Sequence, residues 1–167
     1  MVSDPATSAT SAASAASHPG PARAALPARI VRELIDHARR EDPNEACGLI
    51  LGSAPAAAGG RALRYEPSRN AAASPYRYEI DSKDLLRLTL DADDRDEIFW
   101  AIVHSHTHTP ARPSPTDIGL AFYPDSLYIL VSLAEPGGGV PGHPSPSVRA
   151  WRIVEREVFE VALEVTE

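Results

Sequence analysis

Two long stretches of the chain carry apolar side chains at the spacing of an amphipathic helix. In residues 27–42 an apolar side chain recurs every three or four positions, and charged side chains occupy the opposite face. Residues 83–97 show a similar spacing, with Ser82 as a candidate N-cap. A third, short helix is predicted from Ser114 and the proline after it to about residue 123, because proline is favoured at the first helical position.

The other apolar segments are short and rich in β-branched or aromatic residues, so they predict strands. They cover residues 44–52, 61–67, 76–80, 98–103, 127–133, 148–154 and 157–165. Residues 53–60 and 136–147 are rich in small residues, glycine and proline and are predicted to be loops. The element pattern therefore predicts an α+β fold, a mixed and mostly antiparallel β-sheet flanked by helices.

The amino-acid composition limits the domain organisation of the chain and the kinds of partner that it can bind. Residues 1–25 are rich in Ala, Ser and Pro and nearly free of large apolar side chains, so we expect a disordered tail before a domain over residues 26–167. The chain start lacks the pattern of a signal peptide, and no apolar run approaches the roughly 18 residues that cross a bilayer. The net charge of −7 argues against nucleic acid or an anionic membrane as partners. A single cysteine, Cys47, fits a reducing compartment, so we expect a cytoplasmic protein.

Histidines cluster where the predicted strand 98–103 ends: three of the six lie within five positions. If the strand continues, alternation places His104 and His106 on one face, about 7 Å apart along the strand, where they can share a metal ion. Asp117 is the candidate third ligand, because a carboxylate in the first turn of the third helix can point back towards the strand end. Three protein ligands that leave a fourth position for water are typical of catalytic zinc, so we expect one Zn²⁺ per chain.

Hydrolysis at such an ion also needs a base, and Glu45 is the candidate. It precedes a buried strand, where partial desolvation would raise the pKa of its carboxyl group. Ser114 could donate its hydroxyl to the oxygen that becomes negative in a tetrahedral intermediate. The simpler alternatives are incidental loop histidines at 104 and 106, a serine that only caps a helix, and a carboxylate at 117 that the helix dipole favours.

Three further residues have open roles. His108 could be a ligand, line a substrate groove, or be solvated. Cys47 lies within an apolar strand, where a free cysteine packs as a small hydrophobic residue more often than it acts as a nucleophile. Asn70 could orient the substrate backbone, and a role in a turn is equally compatible with its surroundings.

The order of these residues resembles the JAMM motif of the MPN+ (Mov34/PAD-1-like) metalloproteases. That motif is a glutamate, then His-x-His, seven residues, and Ser-x-x-Asp, and the chain has Glu45, His-Ser-His at 104–106 and Ser-Pro-Thr-Asp at 114–117. The resemblance covers about residues 27–155 and is strongest to the short bacterial branch. It implies an MPN (cytidine deaminase-like) fold, zinc on the two histidines and the aspartate, Glu45 as general acid/base and Ser114 as oxyanion donor. Thr107 stands where many relatives carry proline, which affects local backbone shape.

The resemblance also implies a substrate. Relatives of the short branch act on ubiquitin-like sulfur-carrier proteins that end in Gly-Gly, so we expect a zinc-dependent peptidase or isopeptidase that cuts after that Gly-Gly. Release of cysteine from a carrier–cysteine adduct in cysteine biosynthesis is one such reaction. The alternatives are a non-catalytic MPN-fold scaffold that binds zinc, and a metal hydrolase of a small amide or thioester. The pattern leaves the oligomeric state open, a homodimer included.

Overall fold

A computed structural model describes residues 21–135 and 146–167. Residues 1–20 of the predicted tail and residues 136–145 of the predicted loop therefore lie outside the described residues. The described part contains seven strands, three α-helices and a 3₁₀ turn at Ala56–Ala58. In chain order the elements are β1 (Arg23–Pro27), α1 (Ala28–Glu41), β2 (Cys47–Gly52), β3 (Ala62–Ser68), α2 (Ser82–Asp94), β4 (Ile98–His106), α3 (Pro115–Gly119), β5 (Leu127–Ser132), β6 (Ser147–Val154) and β7 (Glu157–Thr166).

All seven strands form one sheet in the order β1-β7-β6-β5-β4-β2-β3. Two of its six strand pairs are parallel, β1 with β7 and β4 with β5, and the other four are antiparallel. This arrangement confirms the predicted α+β class with a mixed, mostly antiparallel sheet. No α-helix of the described residues has the length and apolarity that a membrane crossing requires, and the longest, α1, has 14 residues.

The sheet carries a separate apolar core on each face. On one face α1 buries the predicted apolar side chains against strands from β1 to β7, and Val103 of β4 belongs to this core. On the other face Leu88 and Ala92 of α2 pack with Leu49, Ile102 and other strand residues. Because side chains alternate along a strand, the even-numbered residues at the end of β4 point to the α2 face. That alternation decides where the histidines lie.

The first strand corrects the predicted boundary of the tail. Arg23 to Ala25, which composition assigned to the disordered segment, pair with β7 as part of β1. The small side chain of Ala24 is buried together with Leu26, and the neighbouring strand supplies hydrogen bonds to the backbone. Edge pairing needs no large apolar residue, so composition alone could not reveal this strand.

Three local predictions also differ from the structure. Residues 76–80 are not a strand; Ile80 makes only an isolated bridge with Asn70. Asp81 rather than Ser82 caps α2, because its carboxylate accepts hydrogen bonds from the backbone N–H groups of the second and third helical residues. The third helix ends at Gly119, four residues before the predicted end.

Candidate metal centre

Strand β4 continues through the histidines and sets their direction. His104 and His106 are the last two even-numbered residues of this strand, and both side chains are buried on the α2 face. β5 pairs with β4 up to His106, while β2 pairs with β4 only up to His104. The strand end therefore holds both imidazoles on a rigid element, as the alternation predicted.

A capping box at the start of α3 holds Asp117 in place. The Ser114 hydroxyl accepts a hydrogen bond from the Asp117 backbone N–H at 3.1 Å, and Asp117 Oδ2 accepts one from the Ser114 backbone N–H at 2.7 Å. The predicted N-cap role of Ser114 is therefore confirmed. The box fixes the Asp117 carboxylate at the helix entrance, where it faces the histidines and is itself buried.

The three side chains converge on one point. His104 Nε2 lies 3.2 Å from His106 Nε2 and 3.4 Å from Asp117 Oδ1, and His106 Nε2 lies 3.4 Å from Asp117 Oδ2. Donors at the corners of a tetrahedron around zinc, each about 2.0–2.1 Å from the ion, are about 3.3 Å apart. The spacing and the chemistry of the donor set, two imidazoles and one carboxylate, fit a zinc ion.

Contacts behind the ligands orient the rings. His106 Nδ1 lies 2.8 Å from the carbonyl oxygen of Pro110, which can only accept, so Nδ1 carries the proton and Nε2 keeps a lone pair. The ring of Tyr78 stacks on that of His104, with 4.2 Å between centroids and 18° between planes. His104 Nδ1 is buried and has no hydrogen-bond partner among the described residues.

Electrostatics keeps the aspartate ionised. Burial raises the pKa of Asp117, but its interactions with His104 and His106 outweigh this effect and hold the pKa well below its usual range. Burial also lowers the pKa of His104, which favours the neutral imidazole that binds metals. The cluster therefore offers an anionic carboxylate and, at His104, a neutral nitrogen donor to a cation.

Glu45 lies two residues before β2, where His106 and Asp117 of this cluster act on its carboxyl group. Its side chain is 4 % exposed, and Oε2 has no hydrogen-bond partner among the described residues. Burial raises the pKa of Glu45 to about 7, with His106 opposing the shift and Asp117 adding to it. A carboxyl group with a pKa near neutrality can both take up and release a proton at physiological pH.

Ser114 is half-buried. Its hydroxyl oxygen accepts the capping hydrogen bond, so its O–H group is still able to donate.

His108 is exposed and lies outside the ligand group. Its Nδ1 lies 2.6 Å from Thr107 Oγ1, and its ring centroid is 5.9 Å from that of exposed Tyr76. The Thr107 hydroxyl also donates to the Pro75 carbonyl at 3.1 Å.

Cys47 and Asn70 are both buried, and neither matches a direct chemical role. Cys47 pairs with His104 across β2 and β4, and burial raises the pKa of its thiol to about 12, so it packs as a neutral side chain. The side-chain amide of Asn70 forms hydrogen bonds with backbone groups of the protein. The contact of Tyr78 with His104 could not be predicted, because the segment that contains Tyr78 has the alternation of a strand.

An apolar groove adjoins the cluster. It has a volume of about 260 Å³ and is lined by residues from the loop before α2, from β4 and from the segment after α3, among them Tyr78, Ile102, Leu120 and Phe122. Leu120 and Phe122 are 54 % and 73 % exposed, so this groove is a surface feature beside the candidate metal centre.

Comparison with known proteins identifies the family of the chain. Residues 27–154 match the family described as prokaryotic homologs of the JAB domain. The CysO-cysteine peptidase of Mycobacterium tuberculosis is 39 % identical over 140 residues, which are 84 % of this chain and 89 % of that protein. The desampylase of Haloferax volcanii is 28 % identical over 126 residues, 72 % of this chain and 86 % of that protein.

A solved structure resembles the fold over most of both chains. The solution structure of protein DSY2949 from Desulfitobacterium hafniense has a TM-score of 0.72 and 32 % identity, over 86 % of this chain and 92 % of that one. The family match and the 39 % identical relative each cover most of the chain, and the family match over residues 27–154 spans the whole motif. The chain therefore belongs to the prokaryotic homologs of the JAB domain, has the JAB/MPN fold, and is a peptidase of that family.

Proposed function

We propose that this protein is a zinc-dependent peptidase that hydrolyses the bond after the C-terminal Gly-Gly of a ubiquitin-like sulfur-carrier protein. Release of cysteine from a carrier–cysteine adduct is the example that we favour. The observation that carries the proposal is the spacing of 3.2–3.4 Å among donor atoms of His104, His106 and Asp117, next to the buried carboxyl group of Glu45. The names of two relatives, a CysO-cysteine peptidase and a desampylase, support the substrate class.

The roles of the side chains follow from their chemistry. His104, His106 and Asp117 would hold the ion, which when bound supplies the Lewis acidity that activates water and polarises a carbonyl group. Glu45 accepts a proton from the attacking water and delivers it to the departing amine. Ser114 donates its hydroxyl to the substrate oxygen as negative charge develops there. The pKa of Glu45, about 7, suits both halves of this proton transfer.

The groove suits an extended polypeptide tail. Apolar side chains before the Gly-Gly would pack against the groove wall that includes Ile102, Leu120 and Phe122, and the tail would lie extended along the protein surface. The two glycines have no side chains, so their backbone can approach the buried cluster closely. This geometry favours a protein tail over a small amide or thioester as the substrate.

A zinc-binding scaffold without turnover accounts less well for Glu45. Burial of a carboxyl group without a hydrogen-bond partner destabilises the fold, and a site that only binds zinc has no use for it. The uncompensated oxygen of Glu45 therefore favours catalysis over binding alone.

The test is cleavage of a carrier protein that bears a C-terminal extension after Gly-Gly. We expect turnover by the wild type, loss of turnover on addition of a chelator, and recovery with zinc. Glu45→Gln should lower kcat by at least about 100-fold while the protein still binds one zinc ion per chain. Glu33→Gln makes the same charge change at an exposed position of α1 and should leave kcat unchanged.

Two outcomes would contradict the proposal. Equal cleavage by Glu45→Gln and wild type would exclude Glu45 as the proton carrier. Stoichiometric zinc binding without cleavage of any Gly-Gly carrier would favour the scaffold.

A further inference from the structure

The backbone around Glu45 is held by groups outside the regular sheet. The Glu45 N–H donates to the Ser74 carbonyl at 2.9 Å, and the Glu45 carbonyl accepts from Asn70 Nδ2 at 3.0 Å. The Ala46 N–H donates to the side-chain oxygen of Ser105 at 2.8 Å, while the Ala46 carbonyl accepts from the Ser105 N–H at 2.9 Å. Three of these four bonds do not belong to the ladder between β2 and β4, so other groups decide where Glu45 lies.

Ser105 ends the ladder at this point. In a regular antiparallel pair the Ala46 N–H would donate to a backbone carbonyl of the facing strand. Here it donates to the hydroxyl oxygen of Ser105 instead. Ser105 is buried between the two histidines in sequence, and its side chain points to the opposite face from theirs. The backbone can therefore leave the sheet between Ala46 and Glu45.

The side-chain amide of Asn70 holds the backbone carbonyl of Glu45. Its amide nitrogen donates to the carbonyls of Glu45 and Arg77, at 3.0 and 3.1 Å, and its amide oxygen accepts from the N–H groups of Ala72 and Glu79, both at 3.0 Å. Both donors and both acceptor sites of the amide are used, and the residue is buried. A turn residue would need only the bonds within its own loop; the bond to Glu45 connects the loop to the candidate site.

The loop that Asn70 organises also contacts the metal-binding side chains. Ser74 supplies the carbonyl that accepts from Glu45, and Tyr78 supplies the ring that stacks on His104. Within the part of the chain that the structure describes, the loop has no strand pairing apart from the bridge between Asn70 and Ile80. A single buried amide thus sets the path of a segment that touches both Glu45 and a candidate zinc ligand.

We propose that Asn70 is a positioning residue, which fixes the Glu45 backbone and the Tyr78 ring relative to the cluster of His104, His106 and Asp117. Its effect on turnover rests on the proposed role of Glu45, whereas its effect on the geometry does not. A displacement of about 1 Å at a reacting group can lower a rate about 100-fold, so loss of this amide should act on kcat.

Asn70→Asp separates the two functions of the amide. The carboxylate keeps both acceptor bonds within the loop but loses the donors to Glu45 and Arg77, and it places an oxygen against those two carbonyls. With the extended carrier as substrate we expect kcat to fall about 10- to 100-fold, KM to stay within about twofold, and zinc content to stay at one per chain. Amide exchange at the Glu45 N–H should be at least about tenfold faster than in the wild type.

The matched control is Ser68→Ala, which removes buried hydrogen bonds to Arg69 and Asp84 from the same stretch of chain. It should lower the melting temperature and leave kcat and the exchange rate of the Glu45 amide unchanged. If Asn70→Asp does not fold, Asn70→Ser, whose hydroxyl can still accept from a loop N–H, takes its place with the same expectations.

A folded Asn70 variant with wild-type kcat and wild-type exchange at Glu45 would overturn the inference. A higher KM with unchanged kcat would also overturn it, because the loop would then contact substrate rather than position Glu45. If the wild type cuts no carrier, the proposed function fails, and the exchange rate at Glu45 alone decides whether Asn70 holds it.

Discussion

Two clusters of ionisable side chains beside this sheet differ in the partners of their carboxylates. Around Arg64 of β3, the guanidinium donates to Glu66, Asp91 and Glu97, so a resident cation faces the three carboxylates. At the end of β4, the ion-pair partners of Asp117 are two histidines, and neighbouring Glu45 has a buried oxygen without a partner. The first cluster contains its own cation, whereas the cation that we propose for the second is a metal ion.

Burial alone therefore does not distinguish a structural cluster from a functional one. Glu97 is nearly as buried as Asp117, with 11 % and 9 % of the side chain exposed. What differs is the partner: Arg64 compensates its carboxylates permanently, whereas the donors around Asp117 can exchange a proton or a metal ion. The comparison predicts that substitutions in the two clusters affect different properties.

The largest effect is expected from Asp117→Asn. An amide can still accept the Ser114 N–H bond, so α3 should form, but the cluster loses its only carboxylate ligand. Because even outer contacts of a metal site change affinity about 10- to 100-fold, zinc affinity should fall by at least about 100-fold. Competition with a chelator of known affinity measures this change. Thr116→Ala, at an exposed position of the same helix, is the control, and equal affinity of Asp117→Asn and wild type would remove Asp117 from the ligand set.

A smaller effect of another kind is expected from Arg64→Met. The substitution keeps much of the apolar stem, leaves Glu66 and Glu97 without their cation and leaves Asp91 with Arg95 alone, so the free energy of unfolding should fall by about 1–3 kcal/mol. Zinc content and kcat should stay at wild-type values. Urea unfolding and the carrier assay check both statements, and a loss of kcat with unchanged stability would show that the comparison of the two clusters is wrong.

An effect of similar size and opposite sign on stability is expected from Glu45→Gln in chelator-treated protein. The pKa of Glu45 is raised in the folded state, from 4.5 to about 7, so ionisation costs folding free energy, and this cost develops as pH rises from about 4.5 to 7. The variant should therefore be more stable than wild type by about 1–3 kcal/mol at pH 8, and the difference should vanish below about pH 4.5. Urea unfolding at pH 4 and pH 8 measures it; a variant less stable than wild type at pH 8 would mean that the Glu45 carboxylate is stabilised in the fold.

The sequence predicted the candidate site better than it predicted the local backbone around it. Residues far apart in the chain, Glu45, His104 and Asp117, could be grouped because strand alternation and helix capping are local rules that fix where side chains point. The α+β class and the α1 face followed from periodicity in the same way. The ligand and catalytic roles themselves stay predictions until the experiments above are done.

The local backbone features that the sequence did not predict depend on single side chains, which form hydrogen bonds that backbone groups would otherwise make. Residues 76–80 alternate like a strand, yet Asn70 satisfies the backbone groups of their loop and keeps them out of the sheet. The role of Ser105 is likewise invisible in a pattern, because a serine between two histidines has no preferred partner until β2 is paired with β4. Propensity describes one residue at a time, and these contacts are between segments.

The parallel pairing of β1 with β7 has a consequence for how the chain folds. Arg23 lies beside Ala162, so this pair closes a loop that includes almost the whole domain, and the entropy of loop closure delays such contacts until the intervening sheet exists. We expect β1 to dock late and to be among the first segments to exchange with solvent. A shortened chain that begins at Leu26, where composition places the domain boundary, would lack three of the five residues of that strand and leave the edge of β7 exposed to self-association.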